Sequence, residues 1–334
     1  MPGMPSLTIG RITVPYPIIQ GGMAIKISTA KLAAAVATEG GIGIIAGTAM
    51  SSAELREEIA SARKMIKGPG ALGVNILFAV SDFAELVKTA MSAGIDLFTS
   101  GAGVSRDMYT WGRQYGVEVV PIVSSARLAK MAERLGAAAV VVEGVEAGGH
   151  LGTDRSVNEI LPEVLQAVKI PVIAAGGIIT GRDIFHFLKK GAQGVQMATR
   201  FAASVECNAA QPFKQYYLDA KKEDSVFIQS SVGLPGRALL SPLSRKIISG
   251  EKIPVENCSG CLKKCTGTFC IRRALEAARL GDIEKGLIFA GARVGEISDI
   301  LSVSDIFRKL VLEFNDEEQR CQDQAYYNWR LNEM

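Results

Sequence analysis

The chain has 334 residues, 48% of them apolar and 21% charged, and a formal net charge of +3. That balance belongs to a folded globular protein and excludes disordered, collagenous and coiled-coil chains. Its basic residues are dispersed, so no nucleic-acid surface is expected. With no apolar run of about 18 residues and no basic-then-apolar leader in MPGMPSLTIG, the expectation is a cytoplasmic protein without membrane partners.

From residue 18 to about 220, short apolar runs alternate with amphipathic stretches opened by Ser or Thr and closed by Gly, the pattern of repeated βα units. Eight strands are predicted: Ile18–Met23, Ile42–Ala46, Leu72–Leu77, Leu97–Ser100, Val117–Val123, Ala139–Glu143, Val172–Gly176 and Gly194–Thr199. Their runs are continuously apolar, as parallel strands covered on both faces require. Between them, Ser51 and Glu54 form a capping box before LREEIASARKMI, and Ser28 precedes TAKLAAAVATE, which stops at Gly40 and Gly41. Further stops fall at Gly94, Gly136 and Gly191.

Eight units in about 200 residues fit a closed (β/α)8 barrel better than a doubly wound sheet. The predicted fold is therefore α/β, a TIM barrel over residues 1–224 with a C-terminal, mainly helical extension over 225–334 packed on it. The extension holds SVGLPGRALLSPLSRKI, a cysteine cluster, and helical stretches near Cys270–Leu280 and Ser304–Glu313. Its tail from Asn315 to Met334 is polar, with Tyr326, Tyr327 and Trp329 interleaved. These read either as local anchors or as a docking face for a second copy in a homodimer.

A barrel builds its active site at the C-terminal strand ends, where polar residues or glycine should replace apolar ones. Strand one ends in Gln20-Gly21-Gly22-Met23, strand three carries Asn75, strand five ends in Ser124-Ser125 and strand six in Glu143. IPVIAAGGI and GAQGVQMATRF, with Gly176, Gly177, Gln196 and Thr199, offer backbone turns before helix starts, a phosphate-binding arrangement; the alternative is that the two glycines only relieve a tight turn. VVEGVEAGGHLG carries the strongest signal. An apolar strand runs into a glycine-rich loop bearing His150, one of two histidines, with Glu143 and Glu146 just before it. Imidazole titrates near neutrality and Gly148 and Gly149 allow close approach to a flat ligand, so His150 is the catalytic candidate against a structural reading. His186, in the helical GRDIFHFLKKG, is assigned no role.

Together PIIQGGMA, GVNI, VVEGVEAGGHLG, IPVIAAGGI and GVQMATRF resemble, in order, the motifs of the nitronate monooxygenase family, formerly 2-nitropropane dioxygenases. The flavin-dependent bacterial enoyl-ACP reductases share that pattern. The resemblance covers about residues 8 to 245 and implies a TIM barrel with noncovalent FMN. Carried over by motif, Gly22, Met23, Asn75, Glu143, Gly149, Gly176, Gly177, Gln196, Met197 and Thr199 would line the flavin, with His150 as the catalytic acid or base. The leading expectation is oxidation of alkyl nitronates with O2. The alternative is an NAD(P)H-dependent reductase of an enoyl thioester or other activated alkene, and a noncatalytic flavin-binding barrel stands third.

The segment NCSGCLKKCTGTFC departs from the best-known members of either branch. Cys258, Cys261, Cys265 and Cys270 lie close enough in sequence to suggest an iron–sulfur cluster or zinc, with free or redox-active thiols as the alternative. A cluster would imply electron transfer to or from the flavin.

Overall fold

The structure, a computed structural model, describes residues 3–101 and 103–333, with side chains described as far as residue 324. In chain order its strands are β1 (Leu7–Ile9), β2 (Ile12–Val14), β3 (Ile18–Gln20), β4 (Ile42–Ala46), β5 (Ala71–Asn75), β6 (Leu97–Ser100), β7 (Glu118–Val123), β8 (Val140–Glu143), β9 (Gly149–His150), β10 (Val172–Ala175), β11 (Gly194–Met197), β12 (Ser225–Gln229) and β13 (Pro235–Leu239). Strands β3 to β8, then β10 and β11, pair in parallel in that order, and β11 closes on β3. All eight expected strands are present, and the fold is a (β/α)8 barrel.

Strand alternation sorts the apolar residues into two cores. On β4, Ile42 and Ile44 face the barrel interior with Ile19, Leu97, Val120, Val141 and Ile173, while Ile45 faces the helices with Leu32 and Ala33. The antiparallel β1–β2 hairpin, absent from the sequence expectation, adds Leu7, Ile9 and Val14 to the interior core. Close helix approach is set by Gly43, where a Cβ would come within 1.9 Å of the Ala33 carbonyl oxygen on helix Ala30–Thr38.

Helix starts follow the sequence with one shift. Ser51 accepts a hydrogen bond from the Glu54 amide, capping helix Ser52–Met65, but the reciprocal half of the capping box does not form: the Glu54 carboxylate pairs with Lys26 at 2.7 Å instead. Thr29, not Ser28, occupies the cap of Ala30–Thr38; the Ser28 hydroxyl instead accepts from the Met23 amide at 2.9 Å and so holds the loop after β3.

The extension is helical at Pro242–Ile248, Ile271–Leu280 and Val303–Glu333. It opens, however, with the β12–β13 hairpin, and β13 pairs with β9 from the barrel's own loop. Strand pairing thus crosses the expected division at residues 224 and 225. The last helix lies against helix Gly181–Lys189, whose Gly181 amide donates to Glu313 at 2.8 Å. The side chains of Tyr326, Tyr327 and Trp329 lie outside the described residues. Among the described residues, no helix is long and apolar enough to cross a membrane.

Candidate active site

A cavity of about 460 Å³ opens at the C-terminal ends of the barrel strands, within the range of small-molecule sites. Its floor comes from the strand ends: Gly21, Gly22 and Met23 after β3, Asn75 on β5, Glu143 on β8, and Gln196, Ala198 and Thr199 on and after β11. Gly22 fits because no side chain could: a Cβ there would lie 2.4 Å from the Asn75 Cβ. Gln20 stays below the floor, buried, with its amide accepting from the Ile44 backbone at 3.1 Å.

The wall carries the candidate imidazole. Gly148 passes the 290–291 backbone so closely that a Cβ would meet the Ala290 carbonyl carbon at 2.6 Å, and Gly149 has φ +94°. These two glycines thread the loop under the extension and bring His150 into register with Gly236 of β13. His150 Nε2 lies 2.9 Å from the Ser230 hydroxyl, and the ring meets Phe289 edge-on at 5.2 Å between centroids. Burial pushes its pKa down to about 4, so the imidazole is neutral at pH 7. Burial acts in the opposite direction on Glu143, raising it to about 8 and leaving a protonated carboxyl at neutral pH. Burial thus favours the uncharged form of both of these groups, which face the cavity.

Of the expected residues, Gly22, Met23, Asn75, Glu143, Gly149, His150, Gln196 and Thr199 line the cavity. Met197 does not. It is 1% exposed and sits in the core between barrel and helices, because neighbours on a strand point to opposite sides and Gln196 takes the inward one. Gly176 and Gly177 lie just outside the lining, turning the chain after β10 with φ of +109° and +69°. The Gly177 carbonyl accepts from Arg293 at 2.7 Å, and Arg293 also grips Asp183 at 2.6 Å. Burial alone would raise Asp183, but Arg293 and the amides of Ile179 and Thr180 hold it below the usual carboxylate range. The glycine turn is thus clamped from the extension.

Other polar residues have structural partners. Glu146 separates from Glu143: it accepts from the Ser156 hydroxyl and, at 3.0 Å, from the Val157 amide, at the start of helix Val157–Ala167. Ser124 donates to the Gly152 carbonyl at 3.0 Å and Ser125 caps helix Ala126–Leu135. Arg200 pairs with Asp299 at 2.5 Å. His186 lies on its helix surface, 3.1 Å from Glu317.

The cysteine spacing does not produce a common centre. Cys258, Cys261, Cys265 and Cys270 are free; Cys258 and Cys265 are exposed, and only Cys261 of the four lines the cavity. Among the described residues no group of three or more His, Cys, Asp or Glu side chains is arranged to hold a metal ion. The cluster or zinc site read from the spacing is without geometric support. The segment instead forms a roof. Ser81 N donates to the Cys261 carbonyl at 3.1 Å, Lys263 N to the Ala79 carbonyl at 2.9 Å, and Lys263 Nζ to the Phe78 carbonyl at 2.6 Å.

The roof and outer wall also supply Val232, Leu262, Ile271, Leu275 and Phe289, all missed from sequence. The floor suits a flavin ring on one observation: among the described residues, no protein group hydrogen-bonds the side chains of Gln196 or Glu143, two deep polar groups facing the cavity. Whatever fills the cavity must offer these groups partners, and a flavin's polar ring edge carries both donors and acceptors.

The family model for nitronate monooxygenase matches residues 6–95 and 71–313. The chain is 32% identical over 244 residues to a Mycobacterium tuberculosis protein named (3aS,4S,5R,7aS)-5-hydroxy-7a-methyl-1-oxo-octahydro-1H-indene-4-carboxyl-CoA dehydrogenase, covering 72% of this chain and 68% of the relative. It is 28% identical over 285 residues to a probable nitronate monooxygenase of Staphylococcus saprophyticus, covering 71% and 79%. The solved structure of FabK from Thermotoga maritima superposes with a TM-score of 0.82 at 34% identity, covering 93% of this chain and 96% of that one.

Proposed function

Because the chain belongs to the nitronate monooxygenase family of FMN-dependent oxidoreductases, we propose that it reduces an activated alkene, such as an enoyl thioester, with NAD(P)H as the electron source. This reverses the order of preference that the motifs alone suggested. The observation that carries it is the make-up of the cavity: Glu143 and His150 both face it, and burial favours the uncharged form of each. Neither offers fixed positive charge to an anionic nitronate. A protonated acid and a neutral hydrogen-bond donor suit a substrate that enters uncharged at its reacting atoms and must gain a proton. The 34% identity to FabK along 93% of this chain supports the reading, as does a relative named for a carboxyl-CoA substrate.

In this reading Gly22, Met23, Asn75, Gln196 and Thr199 cradle the flavin ring, with Glu143 and Gly149 beside it. The turn at Gly176 and Gly177, clamped by Arg293, holds the phosphate. FMN, when bound, supplies the store of reducing equivalents between nicotinamide and alkene. His150 is the catalytic residue. Its neutral ring, steadied by Ser230 and Phe289, donates a hydrogen bond to the thioester oxygen, where negative charge develops. Glu143 holds the proton that the α-carbon requires.

Nitronate oxidation is the second reading, favoured by the name of the Staphylococcus saprophyticus relative. One experiment separates the two. Holoenzyme reduced anaerobically by NADH or NADPH should be reoxidised by a crotonyl-type thioester. Oxygen uptake with propyl-2-nitronate and no nicotinamide, together with no thioester-driven reoxidation, would overturn the reductase reading.

A further inference from the structure

The cavity changes character from inside to outside. Its floor is polar and its outer part is bounded by Ile25, Leu77, Val232, Leu262 and Leu275, so the outer part suits an extended apolar or amphipathic arm. One full positive charge lines this apolar vestibule: Arg272. Of its cationic neighbours in the roof, Lys263 donates to the Phe78 carbonyl at 2.6 Å and stacks 3.8 Å from the Phe78 ring, Arg273 donates to the Asn257 carbonyl at 3.3 Å, and Lys264 does not line the cavity. Arg272, half-buried, has no hydrogen bond or ion pair to any described protein group. Asp82 also lines the cavity yet is not within ion-pair distance of it. Nor does helix stability explain the residue. Arg272 lies in the first turn of helix Ile271–Leu280, where a cation is disfavoured by the macrodipole.

We infer that Arg272 binds a phosphate group of the ligand that occupies the vestibule. The guanidinium fork matches phosphate geometry in a way that an ammonium does not. This rests on the reductase reading, under which two ligands bring such a group past the roof: the carrier arm of a thioester and the pyrophosphate of the nicotinamide dinucleotide. The chemistry is shared, and the source is read by experiment.

The test compares wild-type holoenzyme with Arg272→Gln and Arg272→Lys. Steady-state KM is measured for a crotonyl-CoA thioester, for the matching N-acetylcysteamine thioester that lacks phosphate, and for NADPH. Loss of one charge-assisted contact should raise KM about tenfold for the phosphate-bearing ligand that uses the site, relative to the N-acetylcysteamine thioester, with Lys recovering part of the loss. A selective rise for crotonyl-CoA assigns the carrier arm, and one for NADPH assigns the dinucleotide. Equal changes for all three ligands, or none, overturn the inference. Wild type that reduces neither thioester would refute the reductase reading alone. Calorimetric titration of the holoenzyme with coenzyme A and with NADPH still decides the arginine, because an unchanged Kd for both in Arg272→Gln overturns it and a tenfold weaker Kd for either supports it.

Discussion

The floor and the roof of the cavity are built on different principles. The floor is contributed by strand ends, each held by parallel ladders on both sides, so Asn75, Glu143 and Gln196 are placed by barrel geometry itself. The roof is largely irregular chain, pinned by a few contacts such as Ser81 to Cys261 and Lys263 to Phe78. On the proposed reading, laddered strand ends therefore surround the cofactor, and irregular chain surrounds the substrate entrance.

The contrast can be broken most severely at the seam, where His150 belongs to a barrel loop yet is mounted on the extension. His150→Ala should lower kcat by about 10²- to 10⁴-fold while the protein keeps its yellow colour and binds FMN within a few-fold of wild type. A loss of less than tenfold would remove the imidazole from the chemistry. Gly22→Val attacks the floor alone. With a Cβ 2.4 Å from that of Asn75, it should cost about 1–3 kcal/mol in chemical unfolding and weaken FMN uptake measured by fluorescence quenching. Unchanged stability would mean that the strand end yields more easily than its ladder suggests.

Arg293→Gln asks whether the extension also governs the floor. Releasing the Gly177 carbonyl and Asp183 should raise the Kd for FMN about tenfold, with near-native circular dichroism. An unchanged Kd would confine the clamp to a packing role.

The smallest effect is read through pH on the FMN-free protein. Glu143 has a folded pKa of about 8 against an ordinary 4.5, so folding retains a proton that the unfolded chain releases. Its contribution to stability is complete below 4.5 and is lost as pH rises through 8. Relative to Glu143→Gln, wild type should lose Tm between pH 5 and pH 8.5. His150, lowered to about 4 from 6.5, works in reverse: its contribution is complete above 6.5 and is lost as pH falls through 4. A Tm difference between wild type and Glu143→Gln that stays flat across that range would place the carboxyl in water.

The same contrast explains what could be read from the residues. The eight barrel strands announce themselves because each is a buried apolar run closed by a polar or glycine anomaly, and those anomalies are the floor. Met197 comes with the motif GVQMATRF, but strand alternation lets the side chain of Gln196 or of Met197 face inward and not both, and it is Gln196 that does. The roof left no periodic trace. Two-residue β9 is too short to show one, and Arg272 and Phe289 reach the cavity, and Ser230 reaches His150, through pairing and packing between segments far apart in the chain. The four cysteines do not converge in the described residues, for a related reason. Nearness along the chain says nothing of convergence: Cys270 sits at the start of a helix while Cys258 and Cys265 point to solvent.

The ladder between β9 and β13 has a consequence for dissection of the gene. A fragment ending at residue 224 keeps every stave of the barrel and loses the brace on which His150 is mounted. Such a fragment would be a vessel whose His150 ring has lost Ser230 and Phe289, the two side chains that hold it. Any shortened version meant to retain turnover must carry the hairpin through Leu239 and the strip that delivers Phe289.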